Sequence, residues 1–112
     1  MKILHLTLER KWFDLIAKGE KKTEYRDYKP HWQSRLIEDF DMEFLGLKSQ
    51  SDPFVYKQFD EVWFYNGGYC DKNKFPFMRV RWMGVDIKDN KFNIHLGEIL
   101  EIKNWSNDEK HT

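Results

Sequence analysis

Residues 19–32 read GEKKTEYRDYKPHW, and the periodicity of the chain changes at the first of them. Before Gly19, the residues Trp12, Phe13, Leu15 and Ile16 fall on one side of a helix. A glycine at this point fits the left-handed residue that commonly ends one. After it, Lys21 to Asp27 alternates as a strand, with Thr23 and Tyr25 facing opposite to Lys22, Glu24 and Arg26. Glu24 and Arg26 therefore share a face and can pair. If that face lines the inside of a small barrel, the pair is partly buried and breaking it is costly. Lys21, entering from the turn after the helix, brings its ammonium to the mouth of the same cavity. An ammonium, a guanidinium and a carboxylate then converge where a phosphate or a base edge can sit. The plainer alternative is a salt-bridged strand without a ligand.

Working outward, Leu4, Leu6 and Leu8 alternate with Ile3, His5 and Thr7, the period of a strand. Pro30 to Ile37 fits a short helix, with Trp32 and Leu36 four residues apart on one face. Phe40, Met42 and Phe44 alternate like a strand, and Lys48 to Pro53 reads as a loop. Val62 and Phe64 mark a strand that runs into the Asn66-Gly67-Gly68 turn signal. Phe77 to Ile87 and Phe92 to Lys103 are two long strands joined at Asp89-Asn90. These elements make a single domain over residues 1–112, of the α+β class. The expected form is a small β-barrel of five to six strands, with one N-terminal helix and short additional helices. Leu4, Leu6, Phe64, Val80, Trp82 and Ile94 are expected in its core, with the first helix packed on it through Trp12, Leu15 and Ile16.

Composition agrees with this class. Phe, Trp and Tyr number 9, 5 and 5, whereas alanine occurs once, at Ala17. Aromatic rings suit a pleated surface and alanine is the best helix former, so a helical bundle is disfavoured. The 19 basic and 19 acidic residues cancel, but they are unevenly placed. Residues 1–37 carry nine basic and five acidic side chains, while residues 38–61 carry two and seven. Long-range attraction to nucleic acid is weak on that count, although a local basic face is available. No apolar run approaches the roughly 18 residues that span a bilayer. The single cysteine, Cys70, allows no internal disulfide, and Met1-Lys2 leads straight into alternating sequence. The expected setting is cytoplasmic.

Residue inventory removes several chemistries. His5, His31, His95, His111 and Cys70 show no metal-ligand spacing, so no metal is expected. Neither GxGxxG nor GxxxxGK[ST] occurs, so no phosphate-cradling loop and no cofactor are expected. Cys70 has no local histidine and reads as an incidental thiol rather than a nucleophile.

Gly19, Lys21, Glu24 and Arg26 together resemble the GxKxxExR signature of the ASCH domain family, which has a PUA-like β-barrel. The strand and helix before the motif, the FYNG turn at Phe64 to Gly67 and the LGEI strand at Leu96 to Ile99 match as well. The resemblance covers nearly the whole chain, apart from the acidic insertion around residues 40–57. It implies a fold related to RNA-modification and RNA-binding domains, with the motif at a cleft beside the barrel. Within the family most members are assigned RNA-binding or coactivator-type roles. A related branch deacetylates acetylated cytidine, and some relatives cut RNA. In that branch a threonine stands where this chain has Glu24, and a second carboxylate comes from a helical insertion. This chain instead passes from Val80 to Phe92 through a hairpin.

Three functional readings follow. The first is an RNA- or nucleotide-binding domain whose cleft is lined by Lys21, Glu24 and Arg26. Tyr65 and Asn66 roof it at the turn, and Arg79 and Arg81 extend its charge if their strand lies near. The second is a small hydrolase acting on a modified nucleoside or on RNA, with Lys21 and Glu24 catalytic. The third is a protein-interaction module using exposed aromatics. Glu24 discriminates the first two: a binding module uses it to orient Arg26, whereas a hydrolase needs it free beside a substrate carbonyl.

Overall fold

The computed structural model describes residues 1–38, 55–66 and 74–106. The Phe40–Phe44 alternation, the loop at Lys48 to Pro53, Gly67, Gly68, Cys70 and His111 lie outside them. In chain order the elements are β1 (Ile3–Leu8), α1 (Arg10–Ala17), β2 (Thr23–Asp27), α2 (Pro30–Leu36), β3 (Glu61–Asn66), β4 (Phe77–Lys88) and β5 (Lys91–Lys103). The strands form one sheet in the order β1-β3-β4-β5-β2. Only β1 and β3 run parallel; the other neighbouring pairs are antiparallel. Among the described residues the result is a five-stranded, curled half-barrel with two helices, an α+β fold. The expected small β-barrel is thus met as a half-barrel, with no ladder between the outermost strands β1 and β2.

The curl has local causes. Register shifts between β4 and β5 occur at Arg79/Val80, Val80/Trp82 and Trp82/Val85. Such irregularities bend a strand and increase its twist. Gly84, at the last of them, has φ +115°, a conformation that side-chain-bearing residues rarely adopt. At the tip, Asp89 and Asn90 both take positive φ (55° and 60°), as a two-residue type I′ hairpin turn requires.

Cross-strand register assigns the faces. Leu4, Val62 and Val80 stand side by side on the concave face, continued by Trp82, Leu96, Ile94 and Phe92. Leu4, Leu6, Phe64, Val80, Trp82 and Ile94 are all buried, as their alternation predicts. Helix α1 packs on this face through Phe13 and Ile16, which are buried, while Leu15 is half-buried. Trp12 is 40 % exposed, so the expectation that it anchors the helix does not hold. Phe13 and Ile16 are three residues apart and form the inward stripe; Trp12 falls on the flank. Helix α2 is started by Pro30 and buries Leu36. Behind β5, Trp105 donates its indole N–H to Asp14 at 2.7 Å, which ties the end of the chain's last strand to α1. Burial raises the Asp14 pKa, but the bonds from Arg10 and Trp105 outweigh it and hold the carboxyl below its usual value.

The convex face carries a polar network. Glu61 accepts hydrogen bonds from Arg79 at 2.8 and 2.9 Å and from the Trp63 indole at 2.9 Å. Those bonds, Arg79's foremost, draw the Glu61 pKa from 4.5 down to about 2, against the opposing effect of burial. A carboxyl with a depressed folded-state pKa stabilises the fold above its unfolded-state value, and this contribution disappears as pH falls through the folded-state value. Urea-unfolding midpoints are therefore expected to drop between about pH 4.5 and pH 2, with a smaller drop in Glu61→Gln. An identical acid response in the two proteins would contradict this assignment.

Candidate functional site

The site is built at the corner where α1 ends. Gly19, with φ +79°, donates its N–H to Ile16 O at 3.0 Å, and Glu20 N–H reaches back to Leu15 O at 2.9 Å. This pair of bonds is a Schellman motif, and glycine suits its left-handed position. Lys21 N–H also bonds Leu15 O, at 3.1 Å, so the backbone at Lys21 is fixed against the helix end. The G-x-K spacing thus has a physical reading: the helix cap aims Lys21 at the strand that follows.

On β2, Glu24 and Arg26 face the concave side, opposite Ile94 and Phe92 of β5. Lys21 Nζ lies 2.6 Å from Glu24 Oε1, and Arg26 Nη1 lies 2.8 Å from Glu24 Oε2. Glu24 Oε1 also accepts the Tyr25 backbone N–H at 3.2 Å. Both carboxylate oxygens are therefore engaged, and the Glu24 side chain is only 6 % exposed. Arg26 is engaged as well. Its Nη1 donates to Tyr25 O at 2.7 Å, its Nη2 donates to Thr7 O of β1 at 3.1 Å, and its guanidinium stacks 5.3 Å from the Trp32 ring.

Lys21 differs from its partners. Its ammonium lies 4.9 Å from the Trp12 centroid, which Lys11 also approaches to 4.7 Å, and 5.5 Å from that of Tyr25, within cation–π reach. Glu24 takes one of its three donors. These groups line an open cleft of about 540 Å³, together with Thr7, Leu8 and Glu9. Its walls are the rings of Trp12 and Tyr25, which are 40 % and 49 % exposed. Lys21 and Arg26 against Glu24 leave one surplus positive charge. The exposed Glu9 at the rim lies 4.0 Å from Lys11.

The other sequence-derived candidates are placed elsewhere. Asn66 reaches the cleft edge, donating its amide to Leu8 O at 3.1 Å. Tyr65 is on the convex face, where its hydroxyl and His5 Nδ1 are 2.8 Å apart. Arg79 and Arg81 are also convex. Arg79 pairs with Glu61 and Glu101, and Arg81 with Glu98, so neither extends the positive patch beside Lys21. His95 lies away from the cleft and pairs with Asp86 at 2.7 Å. Thr7, Leu8, Glu9 and Trp12 also line the cleft, and the sequence reading placed none of them there. Trp12 is distinguishable by its place one residue off the Phe13/Ile16 stripe; a backbone acceptor leaves no mark in a sequence.

Among the described residues, no group of His, Cys, Asp and Glu is arranged to hold a metal ion. Nor is any helix among them long and apolar enough to cross a membrane. Comparison of the chain with protein-family models, curated proteins and solved structures gives no match.

Removing Arg26 leaves a buried carboxylate with one cation and severs β2 from Thr7 of β1. Arg26→Ala is expected to destabilise the protein by about 3 kcal/mol. Lys21→Ala leaves Glu24 paired with Arg26 and is expected to cost no more than about 1–2 kcal/mol. Chemical denaturation of both variants checks the ranking, and the opposite order would refute it.

Proposed function

We propose that the cleft binds single-stranded RNA or a nucleotide, and that the protein is a binding module of the ASCH type with a PUA-like fold. The observation that carries this reading is the setting of Lys21. A cation with uncommitted donors is held at the floor of an open cleft beside two exposed aromatic rings. An ammonium is a phosphate ligand, and a flat exposed ring is a stacking surface for an unpaired base. Glu24 supports binding over hydrolysis. Its oxygens accept three hydrogen bonds, so it serves to orient Arg26 and Lys21 rather than to activate water. A cytoplasmic setting fits a chain with a single cysteine.

Salt-titrated binding of short RNAs tests the proposal. Single strands should bind better than duplex, whose deep, narrow major groove excludes side chains. With one or two phosphate contacts, the slope of log affinity against log salt should be shallow, about −1. Trp12→Ala, in a folded variant, should weaken binding by about 1–3 kcal/mol if its ring carries a base. Lys21→Ala should weaken it too and flatten the salt dependence. Absence of binding at low salt, or binding untouched by Lys21→Ala in a folded protein, would overturn the proposal. Turnover of acetylated cytidine would favour the hydrolase instead.

A further inference from the structure

Lys21 belongs to two cavities. Besides the cleft beside Trp12 and Tyr25, it lines a second hollow of about 420 Å³ that Gly19 of the helix-ending turn also borders. Ile16, Leu96 and Ile99 give this hollow apolar surface, and Lys22 and Glu98 line it as well. Its wall is the part of β5 that follows the β2 ladder: the pairing of β2 reaches His95, and Lys22 O then accepts the Leu96 N–H at 3.0 Å. Each hollow falls within the roughly 300–1,000 Å³ typical of small-ligand sites. The charges differ between them. The Glu98 carboxylate is held by Arg81 at 2.9 Å, whereas Lys22 is an exposed ammonium beside Lys21.

We infer that the two hollows form one groove for a dinucleotide step of a single strand, with the connecting phosphodiester at Lys21. This rests on the nucleotide-binding reading above and extends it to the length and polarity of the ligand. One base stacks at Trp12 and Tyr25. The single negative charge of the phosphodiester meets the one surplus cation of the Lys21–Glu24–Arg26 group at the junction. The second nucleoside lies against the partly exposed Ile99, over the buried Ile16 and Leu96, with the exposed Lys22 positioned toward the next phosphate. A lysine that lines both cavities suits a linear polyanion with one charge per unit, because each unit must be contacted without a gap. A mononucleotide fills one hollow and leaves the apolar surface of the other in water.

The experiment compares the dinucleoside monophosphates ApA and UpU with AMP and UMP by calorimetry or competition. The phosphomonoesters carry about −1.5 to −2 charges near neutral pH, whereas the dinucleosides carry one. Electrostatics alone therefore favours the mononucleotides, and any preference for the dinucleosides reports the second hollow. The expected result is a preference of about ten-fold for the dinucleoside of the same base, the scale of roughly 55 Å² of apolar surface removed from water. Lys22→Glu, a change at an exposed position, should lower the gain on lengthening ApA by a further 3′-phosphate. Equal or weaker binding of the dinucleosides in the wild-type protein would overturn the groove while leaving the first cleft a nucleotide site. A gain from the added phosphate that is unchanged in Lys22→Glu would overturn the strand direction past Lys22. If no probe binds, the nucleotide reading itself fails, and the groove with it.

Discussion

The structure turns on one carboxylate. Glu24 stands on the concave face of the last strand in the sheet order, surrounded by apolar neighbours, and has a cation on each oxygen. A buried charge in this position is tolerated only because it is paired and hydrogen-bonded. The arrangement also solves a topological problem. Strands β1 and β2 are opposite edges of a curled sheet with no ladder between them, and the Arg26 guanidinium spans the gap to Thr7 O. Glu24 fixes Arg26, Arg26 holds the edges together, and the cleft opens where that closure stops short of a continuous ladder. A second carboxylate, Glu61, performs a similar service on the convex face, although there Arg79 pulls a paired β3–β4 ladder no closer than its backbone already does.

Much of this was legible in the sequence because it depends on short-range periodicity. Alternation of Leu4, Leu6 and Leu8, the Asp89-Asn90 turn and the helix-ending Gly19 each reflect a local rule, and each element lies where that rule puts it. How far the barrel closes was not legible. Closure depends on whether the first and last strands in the sheet meet, and that follows from cumulative bulges in β4 and β5 that no local pattern reveals. Trp12 shows a finer failure. Trp12, Phe13, Leu15 and Ile16 all lie on one broad helix side, but the sheet accepts only a narrow stripe of it. The residue with the largest apolar surface was displaced to the flank, where it faces Lys21.

The site was legible to the extent that its members share one strand. Glu24 and Arg26 are two residues apart, so their common face follows from the period of a strand, and the helix cap accounts for Lys21. Residues on different strands are another matter. Arg79 and Arg81 share a face with each other, yet only the registers Trp63↔Arg79 and Glu61↔Arg81 reveal that this face is convex. Tyr65 and Asn66 are adjacent in sequence and therefore on opposite faces, which is why one reaches the cleft edge and the other lies beside His5. Parity along a strand says which residues go together; it does not say which set goes inside.

Comparison of the two carboxylate networks explains why one of them is read as a site. Around Glu61, Arg79 pairs with both Glu61 and Glu101, and Lys103 lies 3.6 Å from Glu101, so two cations balance two carboxylates. Nothing positive is left over for a ligand. Around Glu24 two cations meet one carboxylate, and both of them line the open cleft. The aromatic surroundings reinforce the contrast. Trp63 gives its indole N–H to Glu61 and packs edge-on against Phe77, 5.3 Å away, whereas Trp12 and Tyr25 present their rings to the cleft. Arginine, with its planar fork, suits the fixed strut that bridges two strands. Lysine, with a compact charge on a flexible stem, suits the position that must give up part of its partnership when an anion arrives. The division of labour between Arg26 and Lys21 follows from that difference in their chemistry.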